Sequence, residues 1–242
     1  MNSLKVARTV ARHVTPILTG AASTLLELVA PACCPVCGRG SGGPAACRTC
    51  RLPGRRLVVR QLRCDAYGPY LVLSGGLFRG PLRRMVHAYK YREDPFAERL
   101  LLRQLTHAAG SNLGWGALVP IPTHPVRIRE RGFAAVERLA SGLGGRLGLP
   151  VDPLLVRARY TRPLTGRQAR ERRSILAGAL TARPAHGALL VIDDVATTGT
   201  TLHWARRRLL EAGAEAVDLL TLAWTPPPEP GVGRPTRRQA GS

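Results

Sequence analysis

The amino-acid sequence predicts an α/β fold in which a parallel β-sheet is flanked by helices and preceded by a small cysteine-rich module. All six cysteines lie in the first third of the 242-residue chain. After them, short apolar runs alternate with segments whose apolar residues recur at helical spacing, as in a parallel sheet covered on both faces. One apolar run ends in two adjacent aspartates followed by a threonine-rich turn.

The composition is that of a folded, strongly basic protein. Hydrophobic residues make up 45% of the chain and charged residues 21%, which excludes global disorder. The formal net charge of +21 indicates a polyanionic partner: nucleic acid, a phosphorylated substrate or an anionic membrane surface. The alternative is a compositional bias, because nearly all of these cations are arginine and lysine occurs only at Lys5 and Lys90.

Residues 1–30 predict an amphipathic helix. Apolar side chains recur there at helical spacing, at Leu18, Ala21, Ala22, Leu25 and Leu28. The apolar stretch at residues 17–29 is too short to span a bilayer and contains Glu27. We therefore expect a cytoplasmic protein without a transmembrane segment.

Residues 31–62 predict a zinc-binding module. Two C-x2-C pairs are separated by nine residues, and the glycines and proline between them allow the chain to fold back. The two pairs supply the four thiolates of a tetrahedral structural zinc site: Cys34, Cys37, Cys47 and Cys50. Cys33 is an alternative to Cys34 at one corner, and the isolated Cys64 is expected to pack in the core.

Residues 63–224 predict the α/β domain, and the proline- and glycine-rich residues 225–242 predict a disordered tail. A strand and turn are expected at residues 65–76, and a buried strand at residues 116–122. Asp94 and Pro95 predict the start of a helix. Apolar stripes predict three helices with the core residues Leu82, Met85, Val86 and Tyr89, then Leu100, Leu101 and Leu105, then Phe133, Val136, Leu139, Ala140 and Leu143.

The segment "ALLVIDD", residues 188–194, predicts a buried strand that ends in two acids. At the carboxyl end of a parallel strand, side chains meet the ligand crevice. The loop "ATTGTT", residues 196–201, then leads into a helix that Gly213 stops. Backbone N–H groups and threonine hydroxyls at the positive end of a helix dipole bind a phosphate dianion, and Gly199 permits close approach of the backbone.

The two aspartates predict a different part of the ligand. Asp193 and Asp194 repel a phosphate, but carboxylates accept hydrogen bonds from vicinal hydroxyls or bind a magnesium ion. A sugar phosphate satisfies the carboxylates and the threonine loop together. The stretch has neither the Gly-Lys-Thr ending of a P-loop nor the spaced glycines of a dinucleotide-binding fold.

Three stretches, together with the double C-x2-C module, closely resemble the ComF family. They are "LLVIDDVATTGTTL" (189–202), "ALVPIPTHPVRIRERGF" (117–133) and "RARYTRPLTGRQARERR" (157–173). The resemblance extends to about residue 223. It implies a zinc-ribbon-like N-terminus and a type I phosphoribosyltransferase domain that binds phosphoribosyl pyrophosphate (PRPP) with magnesium. It also implies a role beside the DNA-uptake machinery in natural transformation.

The resemblance also implies the site residues. The PRPP-binding motif matches Asp193, Asp194, Val195, Ala196, Thr197, Thr198, Gly199, Thr200 and Thr201. In that motif the aspartates contact the ribose and the threonines contact the 5′-phosphate. Arg127, Arg131 and Arg172 are expected on the pyrophosphate side, near the strand end at residues 119–122. No catalytic residue is assigned, because transfer through an oxocarbenium-like state depends on positioning and charge stabilisation.

The second-substrate side departs from the family's pattern. Ala134 and Ala135 stand where polar residues are expected. Leu164 and Ile175 stand where the family has Gln and Asn around the arginine that matches Arg172. We therefore expect a phosphoribosyltransferase with an eroded second-substrate site and an unidentified acceptor.

The alternative function is a non-catalytic factor that binds single-stranded DNA during uptake. Residues 120–173 contain 12 arginines against four acids, enough to follow a phosphate backbone. Aromatic residues make up only 5% of the chain, which argues against extensive base stacking.

Overall fold

The structure, a computed structural model, describes Cys34, residues 36–39, 47, 48 and 50, and residues 59–110, 114–157 and 180–225. The chain divides into two compact units, Met1–Arg51 and Leu52–Ser242. The predicted N-terminal helix and the predicted tail from residue 226 lie outside the described residues. So do Cys33 and the arginine-rich residues 158–179.

The described part of Leu52–Ser242 alternates strands and helices. In chain order the elements are β1 (Val59–Asp65), β2 (Gly68–Ser74), α1 (Gly80–Arg92), α2 (Pro95–Ala109), β3 (Ala117–Pro120), α3 (Pro125–Arg131), α4 (Ala135–Leu147), β4 (Leu155–Arg157), β5 (Leu180–Ala182), β6 (Ala188–Ala196), α5 (Thr200–Glu211) and β7 (Ala216–Trp224). β1 begins ahead of the predicted domain start at residue 63.

The larger sheet has the strand order β1-β2-β7-β6-β3. The strands β2, β7, β6 and β3 run parallel, whereas β1 pairs antiparallel with β2. The predicted parallel sheet is therefore confirmed for these four strands, and β1, which the sequence analysis does not predict, adds an antiparallel edge strand. The reason is the connection: only Ala66 and Tyr67 join β1 to β2, and so short a link joins antiparallel neighbours. β4 and β5 form a separate antiparallel pair.

Helices cover both faces of this sheet. Leu189 and Val191 of β6 pack with Leu202 of α5 in one buried cluster. Successive side chains of a strand point to opposite faces, so Leu190 and Ile192 are buried on the other side, where α4 contacts β6. This burial on both faces explains why β6 reads as an uninterrupted apolar run in the sequence.

The first two predicted helices of the domain are confirmed. The predicted stripe of α1 is buried at Leu82, Met85, Val86 and Tyr89. Asp94 caps α2 as predicted, because its carboxylate accepts hydrogen bonds from the N–H groups of Phe96 and Ala97 at 2.9 and 3.1 Å. Among the described residues, none of the helices has both the length and the apolar character that a membrane span requires.

Three predicted core positions differ in the structure, and one of them, Leu100 of α2, is only partly buried. Phe133 lies before α4, which begins at Ala135, and its ring packs edge-on against Tyr89 with the ring centroids 5.4 Å apart. Cys64 is exposed on β1 and does not pack in the core. The reason is that Cys64 shares an exposed face of this strand with Leu62, which is 73% exposed.

Candidate functional site

The predicted phosphate loop lies between β6 and α5. The strand runs through the two aspartates to Ala196, and the helix begins at Thr200. The connecting loop is therefore residues 197–199, shorter than predicted, because Ala196 still pairs with Trp224 of β7. Gly199 has a φ of 71°, a left-handed conformation that favours glycine.

Polar groups of this loop converge at the N-terminus of α5. The hydroxyls of Thr198 and Thr200 are hydrogen-bonded at 2.8 Å. The first N–H groups of a helix have no acceptor within it, and here the cap residue Gly199 has no side chain to supply one. A polar cavity of about 40 Å³ lies here, lined by Asp193 and residues 195–202. It is larger than a single water requires, and the positive end of the helix dipole favours an anion there.

The two carboxylates have different surroundings. Successive side chains of a strand alternate in direction. Asp194 contacts the ammonium of Lys90 from α1, whereas Asp193 lies in the field of the Arg157 guanidinium on β4. Each carboxylate also accepts a hydrogen bond from the following backbone N–H, at 2.8 Å for Asp193 and 2.5 Å for Asp194.

Asp193 is the electrostatically perturbed member of this pair. Burial, together with the charge of Asp194, raises the pKa of Asp193 from its ordinary value of 3.8 to about 7. The Asp194 N–H, Lys90 and Arg157 oppose that shift. Burial also lowers the pKa of Arg157. The charge of the Asp193 carboxyl therefore changes close to neutral pH.

The loop after β3 lies beside the aspartates, because the parallel register pairs Pro120 with β6 just before them. Arg157 Nε donates a hydrogen bond to the carbonyl of Pro122 at 2.8 Å. The N–H and hydroxyl of Thr123 donate to the two carboxylate oxygens of Glu137 at 2.8 and 2.6 Å. These contacts tie the predicted pyrophosphate-side strand end to β4 and α4.

The arginines predicted on the pyrophosphate side make other contacts in this structure. Arg127 pairs with Glu130 at 2.8 Å, and both side chains are 50% exposed on α3. The Arg131 guanidinium lies over the ring of Tyr91, 5.4 Å from its centroid. Arg172 lies outside the described residues. A pyrophosphate role for these residues stays a prediction.

The predicted second-substrate side is described only in part. Ala134 is the N-cap of α4 and supplies no side-chain hydrogen bond. Ala135 is fully buried, and its carbonyl accepts a hydrogen bond from the Tyr89 hydroxyl at 2.8 Å. Leu164 and Ile175 lie outside the described residues.

Sequence reasoning did not single out Lys90 or Arg157. Arg157 is one of the 12 arginines of residues 120–173, and nothing in the local sequence pattern distinguishes it from the others. Lys90 did carry a signal, because it is one of two lysines in a chain whose other cations are arginines. Both residues reach the aspartates from elements that are distant in the sequence.

A larger apolar groove adjoins the threonine loop. Its volume is about 440 Å³, and its walls include Tyr70, Val72, Trp204 and Leu219. Residues 198–200 form one end of it. Because its lining is mainly hydrophobic, the groove is suited to apolar groups, whereas the smaller cavity beside it is polar.

The four predicted zinc ligands lie together in the Met1–Arg51 unit. The sulfur atoms of Cys34, Cys37, Cys47 and Cys50 are all within 4.8 Å of one another. The Sγ atoms of Cys37 and Cys47 are 3.8 Å apart. Around a tetrahedral zinc with Zn–S bonds of about 2.3 Å, two thiolates are separated by about 3.8 Å, so the cluster could bind a zinc ion.

The local backbone favours the thiolate form in this cluster. Burial raises the pKa of Cys34, but hydrogen bonds from the backbone N–H groups of Cys47, Cys37 and Val36 lower it to about 6 overall. The N–H of Cys47 donates to Cys34 Sγ at 3.4 Å. Gly38, with a φ of 74°, closes the first knuckle by donating its N–H to the Cys34 carbonyl at 2.8 Å.

Comparison with known proteins identifies relatives over most of the chain. No family model matches the sequence. The DNA utilization protein YhgH of Escherichia coli is 30% identical over 205 residues, which cover 79% of this chain and 90% of the relative. Competence protein ComFC of Bacillus subtilis is 29% identical over 199 residues, covering 78% of this chain and 76% of the relative.

Among solved structures, orotate phosphoribosyltransferase from Aeropyrum pernix matches with 20% identity and a TM-score of 0.36, covering 70% of this chain and 89% of that chain. The family assignment depends on the sequence relatives, which are 29% and 30% identical to this chain over 76% and 90% of their own length. The predicted resemblance is confirmed, and this chain belongs to the ComF family.

Proposed function

We propose that this protein binds PRPP, or a related sugar phosphate, with magnesium and transfers the phosphoribosyl group to an acceptor. The observation that carries the proposal is the turn after β6, where two carboxylates directly precede a threonine-lined cavity at a helix N-terminus. The 5′-phosphate accepts hydrogen bonds from the N–H groups and hydroxyls of residues 197–201. Asp193 and Asp194 accept hydrogen bonds from the ribose hydroxyls.

Magnesium fits the chemistry of this site because it prefers oxygen ligands: Asp193 lines the cavity, and Asp194 adds a second carboxylate next to it in the strand. When bound with PRPP, the ion supplies positive charge to the pyrophosphate leaving group. The chain's own residues hold the ribose and the 5′-phosphate in place. In this proposal Arg127, Arg131 and Arg172 add charge on the pyrophosphate side.

Two double variants test whether the aspartates bind the ribose and the threonines bind the phosphate. We expect Asp193→Asn with Asp194→Asn to weaken binding of Mg-PRPP while leaving inorganic phosphate binding intact. Thr198→Ala with Thr200→Ala should weaken both ligands, because the phosphate anchor serves each of them. A lost hydrogen bond to a charged group corresponds to about tenfold or more in affinity, measurable by calorimetric titration.

A matched control is Thr106→Ala, because that hydroxyl donates to the Leu102 carbonyl within α2. It should leave both affinities unchanged. Tight PRPP binding by the aspartate variant, equal to that of the parent, would show that the carboxylates do not hold the sugar.

A second function, binding of single-stranded DNA, is favoured by a row of planar groups along α1 and beside it. We call this row the α1 ladder. Its members are Arg83, Phe78, His87, Tyr91 and Arg131. Arg83 lies 6.0 Å from the Phe78 centroid, and Phe78 stacks on His87 at 6.1 Å. His87 and Tyr91 are 5.4 Å apart, and Arg131 completes the row over Tyr91. Tyr91 is 62% exposed.

The α1 ladder suits bases and phosphates together, because exposed rings stack with bases and the flanking guanidiniums pair with the backbone. Phe, Trp and Tyr make up only 5% of this chain, but two of them, Phe78 and Tyr91, flank the imidazole of His87 here. The relatives are named for competence and DNA utilization. We therefore propose that this chain handles DNA during uptake, in the cytoplasm, alongside the uptake machinery.

We expect His87→Ala with Tyr91→Ala to weaken binding of a fluorescent oligothymidine about fivefold or more, because each lost stack is worth about 1–3 kcal/mol. Fluorescence anisotropy measures the affinity, and its logarithm should fall with log salt at about −0.7 per phosphate contact. Tyr67→Ala is the control, since Tyr67 is also exposed, at 45%, but lies in the link between β1 and β2, outside the α1 ladder. Unchanged affinity of the double variant would contradict the assignment of DNA to the α1 ladder.

The cysteine cluster should hold structural zinc. We expect about one equivalent of zinc by elemental analysis of protein purified without chelator, because four thiolates fill a tetrahedral site. Cys37→Ser should lose the metal, whereas Cys64→Ser should retain it, since Cys64 lies on β1 outside the cluster. Less than about half an equivalent in the folded parent would contradict this proposal.

A further inference from the structure

The candidate sugar-phosphate site carries a lysine where this chain otherwise uses arginine. Lysine and arginine together number 36, yet lysine occurs only at positions 5 and 90. Lys90 is the one lysine in the part of the chain that the structure describes, and it contacts Asp194. A compositional preference for arginine would place a guanidinium there, so the ammonium requires an explanation specific to this position.

Lys90 is held firmly against its carboxylate. It lies in the last turn of α1, which the Tyr89 hydroxyl ties to the start of α4 through the Ala135 carbonyl. Its ammonium contacts Asp194 Oδ2, and the two side chains are only 11% and 17% exposed. The N–H of Val195 engages Asp194 Oδ1. Both oxygens of the carboxylate are thus held, which fixes the orientation of Asp194 directly before the threonine loop.

The difference between ammonium and guanidinium explains the choice of residue. A guanidinium is a planar fork that binds both oxygens of a carboxylate, and at Asp194 it would cover the lone pairs that a ligand needs. An ammonium is a compact charge that can contact one oxygen and leave lone pairs on both for hydroxyl donors. Its charge also compensates that of Asp194, which follows a second carboxylate, Asp193, in the strand.

We propose that Lys90 is the positioning residue of this site: through its contact with one carboxylate oxygen, it orients Asp194 toward the ligand's hydroxyls. The inference rests on the proposed function and deepens it, since Lys90 lies outside the motif that carries the aspartates and threonines. Lys90 acts through Asp194, and its effect therefore concerns the sugar and not the isolated phosphate.

Calorimetric titration of the full chain with Mg-PRPP and with inorganic phosphate tests this inference. We expect Lys90→Met to weaken Mg-PRPP binding by about tenfold or more, with inorganic phosphate affinity within about twofold of the parent. Lys90→Arg should not restore PRPP affinity, because the fork covers both carboxylate oxygens. Lys90→Met combined with Asp194→Asn should bind PRPP no more weakly than Asp194→Asn alone, because the two residues act as one unit.

Each other outcome overturns the inference. Parental PRPP affinity in Lys90→Met means that Lys90 does not act on the ligand. Full restoration by Lys90→Arg means that any positive charge suffices. Equal loss of both ligands, with a lowered melting temperature, means a purely structural role, and the Lys90→Met/Asp194→Asn variant checks this without leaving a buried charge unpaired. Failure of the parent itself to bind Mg-PRPP overturns the proposed function, and this inference with it.

Discussion

Replacing Arg206 by methionine should lower the free energy of unfolding by about 3–5 kcal/mol, the range for removing one partner of a buried ion pair. The Arg206 side chain is 2% exposed, and its guanidinium contacts both oxygens of Asp65 at 2.6 and 2.7 Å. It also donates to the Val217 carbonyl at 3.2 Å and lies 4.1 Å from the Tyr70 ring centroid. The substitution leaves the Asp65 carboxylate without its cation and loosens the β1–β2 hairpin from α5.

Urea unfolding followed by tryptophan fluorescence measures this loss, because all three tryptophans lie in the Leu52–Ser242 unit. The matched control is Arg207→Met, which breaks a surface pair with Glu211 and should cost only about 0–1 kcal/mol. Asp65→Asn combined with Arg206→Met should be less destabilised than Arg206→Met alone, because no unpaired charge remains. A loss similar to that of the Arg207 variant would mean that the buried pair does not hold the hairpin.

Asp193→Asn should make the magnesium-free protein more stable at pH 8 than the parent, although it removes a proposed ligand contact. The folded-state pKa of Asp193 is about 7, against an ordinary value of 3.8, because burial and Asp194 disfavour the charged form. Between these values the folded chain retains a proton that the unfolded chain has released. Parent stability therefore falls as pH rises from about 4 to 7, by at most about 4 kcal/mol.

Asparagine has nearly the same shape and cannot ionise, so it abolishes this part of the pH dependence. We expect the stability difference between variant and parent to be small near pH 4 and to reach roughly 1–4 kcal/mol by pH 8. Melting temperatures across that range measure it. The contrasting control is Asp194→Asn, which leaves the Lys90 ammonium without its carboxylate and should destabilise. Parallel pH profiles for parent and Asp193→Asn would contradict the perturbed pKa.

A binding site can keep a charged group in an environment that disfavours its charge. Removing that group then increases the stability of the folded protein, although it weakens binding. In this protein the cost arises from two adjacent acids at the end of a buried strand. Lys90 and Arg157 reduce that cost without removing it, since both lower the pKa of Asp193 yet leave it near 7.

Local patterns in the sequence were enough to predict the helices α1, α2, α4 and α5, the buried strand β6, the threonine turn and the paired cysteine knuckles, but not the short helix α3. Each depends on spacing within a few residues: a stripe at helical period, an apolar run, an Asp-Pro cap or a C-x2-C pair. The antiparallel β1 does not follow from the alternation of strands and helices, although its two-residue link to β2 also lies in the sequence.

The tertiary structure alone decided which distant side chains meet. Arg206 and Asp65 are 141 residues apart in the chain, and their pairing depends on how α5 packs against the β1–β2 hairpin. Lys90 contacts Asp194 only because α1 lies beside the carboxyl end of β6, and the charge of Arg157 on β4 lowers the pKa of Asp193. Charge has no periodicity that marks a partner in the sequence, so a basic residue in an arginine-rich chain gains its role only from the geometry of the fold.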